Sequence, residues 1–224
     1  GYFDLYQPQL AHPMFMVQYD HRGSTLYKNT GTPHYNFEDV QNSGIEYEET
    51  HAGGAWGDVN NDGLVDLVTT TFYGCRYIDL YLQKPNNTFE MKTWEFGLHE
   101  VVTGEDALWV DTENTGRLNL CVGNDNKFRL YKNYVNAWYN NFVAITLQST
   151  TGYKPGTGSV VYVYSGGKRY MQHVTAGQGL RMQKPSRLHF GLAQATTIDS
   201  VVVLWNNPAK TKNKYTNLQV NKFY

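Results

Sequence analysis

The chain reads as an all-β protein built from two unlike parts. Three observations point there. Apolar residues come in runs of four to eight, such as 64–71, 142–147, 159–164, 187–190 and 198–205, and no long helical periodicity joins them. Aromatic residues make up 15% of the chain and charged residues only 17%, well under the roughly 25% of an average domain, a balance that suits pleated surfaces. Finally, residues 1–135 repeat themselves, whereas the remainder does not.

The repeat is clearest in Trp56-Gly57-Asp58-Val59-Asn60-Asn61-Asp62-Gly63-Leu64-Val65-Asp66. It returns in altered form as Trp109-Val110-Asp111-Thr112-Glu113-Asn114-Thr115-Gly116-Arg117-Leu118-Asn119, and its tail returns as Gly1-Tyr2-Phe3-Asp4. The shared glycines stand at 1, 63 and 116, which gives spacings of 62 and 53 residues. A second element keeps the same period: Leu26-Tyr27-Lys28-Asn29, Leu80-Tyr81-Leu82-Gln83 and Leu130-Tyr131-Lys132-Asn133. Phe37-Glu38 and Phe89-Glu90 follow the first two copies. A strand-rich unit of this length suits a four-stranded propeller blade, so the chain carries about two and a half blades, a partial β-propeller. The repeat stops near residues 136–141. The expected domains are therefore 1–137, the blades, and 138–224, a small β-sandwich-like unit, with Trp138 and Tyr139 at the junction. Turn signals divide the strands: Asn61-Asp62-Gly63, Lys84-Pro85-Asn86-Asn87, Asn206-Asn207-Pro208, and Gly166-Gly167, which reads as a tight hairpin.

Asp58, Asn60, Asp62 and Asp66 follow D-x-N-x-D-G-x-x-D. Alternate side chains in a tight loop turn their oxygens toward one centre, and Gly63 supplies the turn. With the Leu64 carbonyl they make a hard-oxygen set suited to Ca²⁺. An EF-hand would need Glu at the twelfth position, where Thr69 stands, so this is a loop closed by Asp66 and followed by a strand. An Asn-Asp-Gly hairpin with solvated acids would use similar residues, but the matched positions after Trp56-Gly57 favour metal. The second loop offers Asp111, Glu113, Thr115 and Asn119, at most two carboxylates, and reads as a decayed metal loop or a turn held by its own hydrogen bonds.

At these residues the chain resembles a known family. Leu26-Tyr27-Lys28-Asn29, Phe37-Glu38-Asp39-Val40, Gly44-Ile45 and Ala55-Trp56-Gly57-Asp58 resemble FG-GAP/VCBS propeller repeats, as in the cartilage acidic protein-like family. The C-terminal part resembles the ASPIC/UnbV domain through Gly158, residues 160–163, Gly177-Gln178-Gly179, Leu188-His189-Phe190-Gly191-Leu192 and residues 201–205. Trp205-Asn206-Asn207-Pro208 departs from that family's Trp-Pro-x-Gly, and the arginine often found before the Gly158 region is missing. The resemblance implies a secreted, calcium-stabilised, non-enzymatic protein with adhesive or matrix roles. Related rings close with about seven blades, so this chain would leave blade faces and edges uncovered. Self-association into a homopolymer or fibre is one expected answer, with residues 1–27 as a contact. Completion by other blades of the same protein, as part of a ligand-binding receptor, is the other.

Other readings are narrower. A net charge of −1 excludes a broad basic footprint for nucleic acid. No apolar run approaches the roughly 18 residues of a membrane helix. The chain opens at Gly1, inside a loop motif, which reads as a processed or truncated end. Cys75 and Cys121 permit one disulfide or two buried thiols. Asn86-Asn87-Thr88 is a glycosylation sequon at Asn86, and glycans are further partners for the exposed aromatics. The histidines form no zinc-ligand pair and no nucleophile elbow is present. His51 is read as a loop residue and His189 as structural. Glu105-Asp106 could be the carboxylates of a carbohydrate-active enzyme, the remotest of the alternatives. The location expected is extracellular or at the cell surface.

Overall fold

The structure is a computed structural model that describes residues 3–8, 24–46, 51–74, 76–100, 103–123, 127–135, 140–150, 155–177 and 182–224. Every described regular element is a strand. Trp138, Tyr139, Cys75, Gln178, Gly179 and most of the 1–27 stretch lie outside the described residues.

Three antiparallel meanders come first. β1 (Leu5–Gln7), β2 (Thr25–Asn29) and β3 (Phe37–Asp39) form one sheet. β4 (His51–Gly57), β5 (Asp66–Thr71), β6 (Asp79–Gln83) and β7 (Phe89–Met91) form the second. β8 (Asp106–Val110), β9 (Asn119–Gly123) and β10 (Phe128–Tyr131) form the third. The repeated Leu-Tyr segments are β2, β6 and β10, and the Phe-Glu pairs lie in β3 and β7.

One hydrogen bond recurs across all three sheets. The amide of Asn29 donates to Asp4 Oδ1 at 2.8 Å, that of Gln83 to Asp66 Oδ1 at 3.0 Å, and that of Asn133 to Asn119 Oδ1 at 2.9 Å. The repeat is therefore structural: the residue at the head of one strand holds the end of the next. By this equivalence the first sheet has no counterpart of β4, and the third has none of β7, among the described residues.

The second sheet lies between the other two. Successive strand residues face opposite ways, and Leu67 packs with Tyr6, Leu26, Tyr81 and Phe89, while Val68 packs with Leu80, Trp109, Leu120 and Val122. All six residues of β5 are consequently buried. Trp109 sits in the second of these cores and donates from Nε1 to the Ala55 carbonyl at 3.2 Å. Trp56 is half-buried and meets the Phe89 ring at 5.9 Å between centroids.

His51 corrects the loop reading. It opens β4 with 2% exposure and is held by Tyr6 Oη at 2.8 Å and by Ser24 Oγ at 3.1 Å. Gly53 and Gly54 follow within the same strand. They pair with Thr70 and Thr69 of β5, and side chains there would crowd the Glu105 carbonyl and the Tyr6 ring, which stand 2.9 and 3.3 Å from where each would begin.

The C-terminal unit has two sheets. One has the order β14 (Leu188–Ala193), β11 (Asn141–Ile145), β17 (Lys222–Phe223), with β17 parallel to β11. The other has the order β13 (Lys168–His173), β12 (Val160–Ser165), β15 (Ser200–Leu204), β16 (Lys212–Tyr215). Val143 and Ile145, Leu188, Phe190 and Leu192 meet Val161, Val163, Val201 and Val203 between the sheets. Gly166 and Gly167 join β12 to β13 with φ of 56° and 73°, the doubly left-handed turn that a two-residue hairpin needs. The unit thus includes β11, which precedes the segments most distinctive in sequence.

Candidate functional site

Residues 58–66 link β4 to β5 in a tight turn, with Asn61 and Gly63 at φ of 58° and 86°. Asp58 accepts from the amides of Asp62 and Gly63 at 3.0 and 2.9 Å. Asn60 Oδ1 accepts from the Asp62 amide, and Asp62 Oδ1 from the Leu64 amide, at 3.0 and 2.8 Å. Asp66 Oδ2 accepts from the Val59 amide at 2.9 Å. The loop is thus wound by its own acids, each oxygen keeping a second lone pair. No group of three or more His, Cys, Asp or Glu side chains that could hold a metal is gathered among the described residues. All four side chains and Leu64 nevertheless lie within the same turn.

Electrostatics set this loop apart. Asp66 is fully buried and Asp58 is 6% exposed, and neither forms an ion pair with a Lys, Arg or His among the described residues. Burial pushes the Asp66 carboxyl up to about 7 despite the two amides that favour its charged form. Burial, then the charges of Asp66 and Asp62, push Asp58 well above the carboxylate range. A buried pair of acids needs a proton or a cation. Three carboxylates and an amide oxygen are the donor chemistry of a hard divalent cation, which Asp58, Asn60, Asp62, Asp66 and the Leu64 carbonyl would hold.

The second loop has the same backbone. Asn114 and Gly116 take φ of 54° and 79°, and Asp111 accepts from the Thr115 and Gly116 amides at 3.0 and 2.7 Å. Its remaining groups are engaged otherwise. Glu113 pairs with Lys132 at 2.6 Å, and Asn119 donates to Thr112 Oγ1 at 2.6 Å. Asn119 in place of Asp66 removes the buried charge, so the turn stands on its own hydrogen bonds.

Sequence reading did not find what the acid loop rests on. Leu188, Phe190 and Leu192 of β14 face the core, so His189, Gly191 and Ala193 face outward. That outward face meets the loop. His189 Nε2 lies 2.7 Å from Asn61 Oδ1, and the Ala193 amide donates to the Asn61 carbonyl at 2.9 Å. A Cβ on Gly191 would fall 1.9 Å from Asp58 Oδ2. Asn140 donates to the Asn60 carbonyl and Asn133 to the Val59 carbonyl, at 2.9 and 2.8 Å. The Phe142 ring lies against Gly116 and stacks on His189 at 5.5 Å. The signal available was the small residue Gly191 on the outward side of an otherwise bulky strand.

The other sequence candidates are scattered. Asn86 is exposed in the β6–β7 turn, where it accepts from Thr88 Oγ1 at 2.8 Å. Cys121 is a buried free thiol in β9. Glu105 and Asp106 are 7% and 1% exposed, and Asp106 is engaged by the Ala107 and Met182 amides. Ser24, His51 and Asp79 approach one another as a hydrolytic triad would, but Tyr6 Oη lies nearer His51 Nδ1 than Ser24 does, and His51 is sealed in the interior.

An all-β protein with three repeated meanders docked on a two-sheet unit is the class these features define. Residues 149–224 match the family model described as ASPIC and UnbV. That match takes in β12 to β17, including the His-Phe-Gly-Leu segment that seats the acid loop. No curated protein matches the chain.

Proposed function

We propose that the meanders are FG-GAP/VCBS-type propeller blades. On this reading the chain is a non-enzymatic extracellular structural or adhesive protein, stabilised by Ca²⁺ and self-associating through its blade faces and edges. The observation that carries the reading is the state of the two end faces. In the first sheet, Leu5 and Phe37 lie on the side away from the second sheet and are 49% and 50% exposed. In the third sheet, Leu130 and Phe128 lie on the side away from it, at 42% and 66%. Apolar side chains on both ends of a stack of sheets suit a series that continues at both ends. Calcium would bind residues 58–66 and cancel the charge buried against β14. Asp62→Ala should abolish calcium binding measured by calorimetry; unchanged binding would remove calcium from the proposal.

A second reading is a ligand-binding receptor in a longer propeller, in which further blades would cover the same exposed end faces. Electron microscopy of native material with calcium separates the two: filaments with a subunit repeat support self-assembly, and discrete rings support the longer propeller. The exposed Asn86 would carry a glycan in either case.

A further inference from the structure

A cavity of about 380 Å³ opens where the blades meet the C-terminal unit, beside the acid loop but lined by none of its four acidic and amide side chains. Its lining includes Trp56 and Trp109 from the meanders and Lys184, Arg187 and His189 from the C-terminal unit. The volume lies within the range of small-molecule sites.

Its polar groups are of a particular kind. The Asn61 amide nitrogen donates to the Gly116 carbonyl at 2.9 Å, which turns Asn61 Oδ1 toward His189. His189 Nε2 must therefore carry the hydrogen, and Nδ1 is a bare acceptor. Nδ1 has no hydrogen-bond partner and is itself sealed from solvent, so His189 shapes the lining without offering the cavity a polar atom. Lys184 is half-buried, burial pulls its ammonium below the ordinary range, and it forms no ion pair among the described residues. Arg187 reaches Asn114 Oδ1 and lies over the Phe223 ring at 5.1 Å. The acid on the lining, Asp111, has both oxygens turned to amides of its own loop. Two cations against one carboxylate leave the lining positive.

We propose that this cavity binds a small hydroxylated carboxylic acid of sugar-acid type. Its carboxylate lies against Lys184 and Arg187, and the apolar face of its ring lies on Trp56 and Trp109. The proposal does not depend on calcium or on self-assembly. The probe is glucuronate, titrated into the full chain by calorimetry, with glucose as the neutral control. Glucuronate should bind at least about tenfold more tightly than glucose, the worth of one charge-assisted hydrogen bond. Lys184→Met should lose that preference and Lys184→Arg should keep it, each variant first shown to melt as the parent does. Because a uronate also chelates calcium, the titration is repeated on Asp62→Ala. Binding retained there supports the cavity, and binding lost there places the acid on the cation and overturns it. Equal affinity for glucose and glucuronate, no binding of glucuronate, or an unaffected Lys184→Met would overturn it as well.

Discussion

A methyl group at position 191 would sit 1.9 Å from an oxygen of Asp58 and 2.6 Å from the Asn61 Cα. Neither neighbour can step aside, because Asp58 winds the loop and Asn61 is bound to His189 and Gly116. Gly191→Ala is therefore expected to cost about 1–3 kcal/mol in urea unfolding, the usual penalty of overpacking. Titration of the loop gives a second test. Asp66 has its folded pKa raised to about 7, so it binds its proton more tightly folded than unfolded. The stability it contributes without calcium is present at low pH and is lost as pH rises toward 7. Burial pulls His189 down to about 4, and it acts the opposite way, costing stability as pH falls from its ordinary value. Comparing calcium-loaded with calcium-free protein removes the His189 contribution. The calcium-induced rise in Tm should be small near about pH 5 and larger near about pH 8, since protons and calcium compete for Asp66. A rise that is flat across that window would mean calcium does not act at this carboxylate.

Strands whose pattern is local could be read before the fold was known. β2, β6 and β10 announce themselves through a repeated Leu-Tyr, and β12 and β15 through β-branched runs bounded by turns. The acid loop was visible because its spacing follows from one turn of backbone. β4 was not, because the reason for Gly53 and Gly54 lies in other sheets, with Tyr6 and Glu105. β17 was not, because two residues pairing in parallel with a strand some 80 positions away leave no periodic trace. The seat of the loop on β14 left a single trace, Gly191, and the sequence does not say which distant segment that glycine faces. Between sheets, the Tyr6–His51 hydrogen bond ties β1 to β4 across the first interface. Tyr6→Phe should lower stability by about 1 kcal/mol in chemical denaturation, the net worth of such a bond. No change would mean that Ser24 satisfies His51 Nδ1 unaided.

Across the whole chain, the end faces and the central junction make separate demands. If the exposed faces drive assembly, Phe128→Lys together with Leu130→Lys should shift sedimentation toward the monomer while leaving the circular dichroism unchanged. A sedimentation profile matching the parent would clear that face of the role. The junction predicts a response at a distance from any ligand. Removing calcium with a chelator should raise amide hydrogen exchange at residues 188–193, because the outward side of β14 rests on the loop that calcium would hold. Unaltered exchange there would uncouple the two. The same junction bears on ancestry. The acid loop and the glycine that admits it are written far apart in the gene, yet neither fits without the other. A recombination event with its crossover near residue 137 would bring together halves that must already agree on Asp58, Asn61, His189 and Gly191. Shuffled descendants should therefore inherit the loop and its seat as a pair, and an engineer moving either one to a new scaffold must carry both.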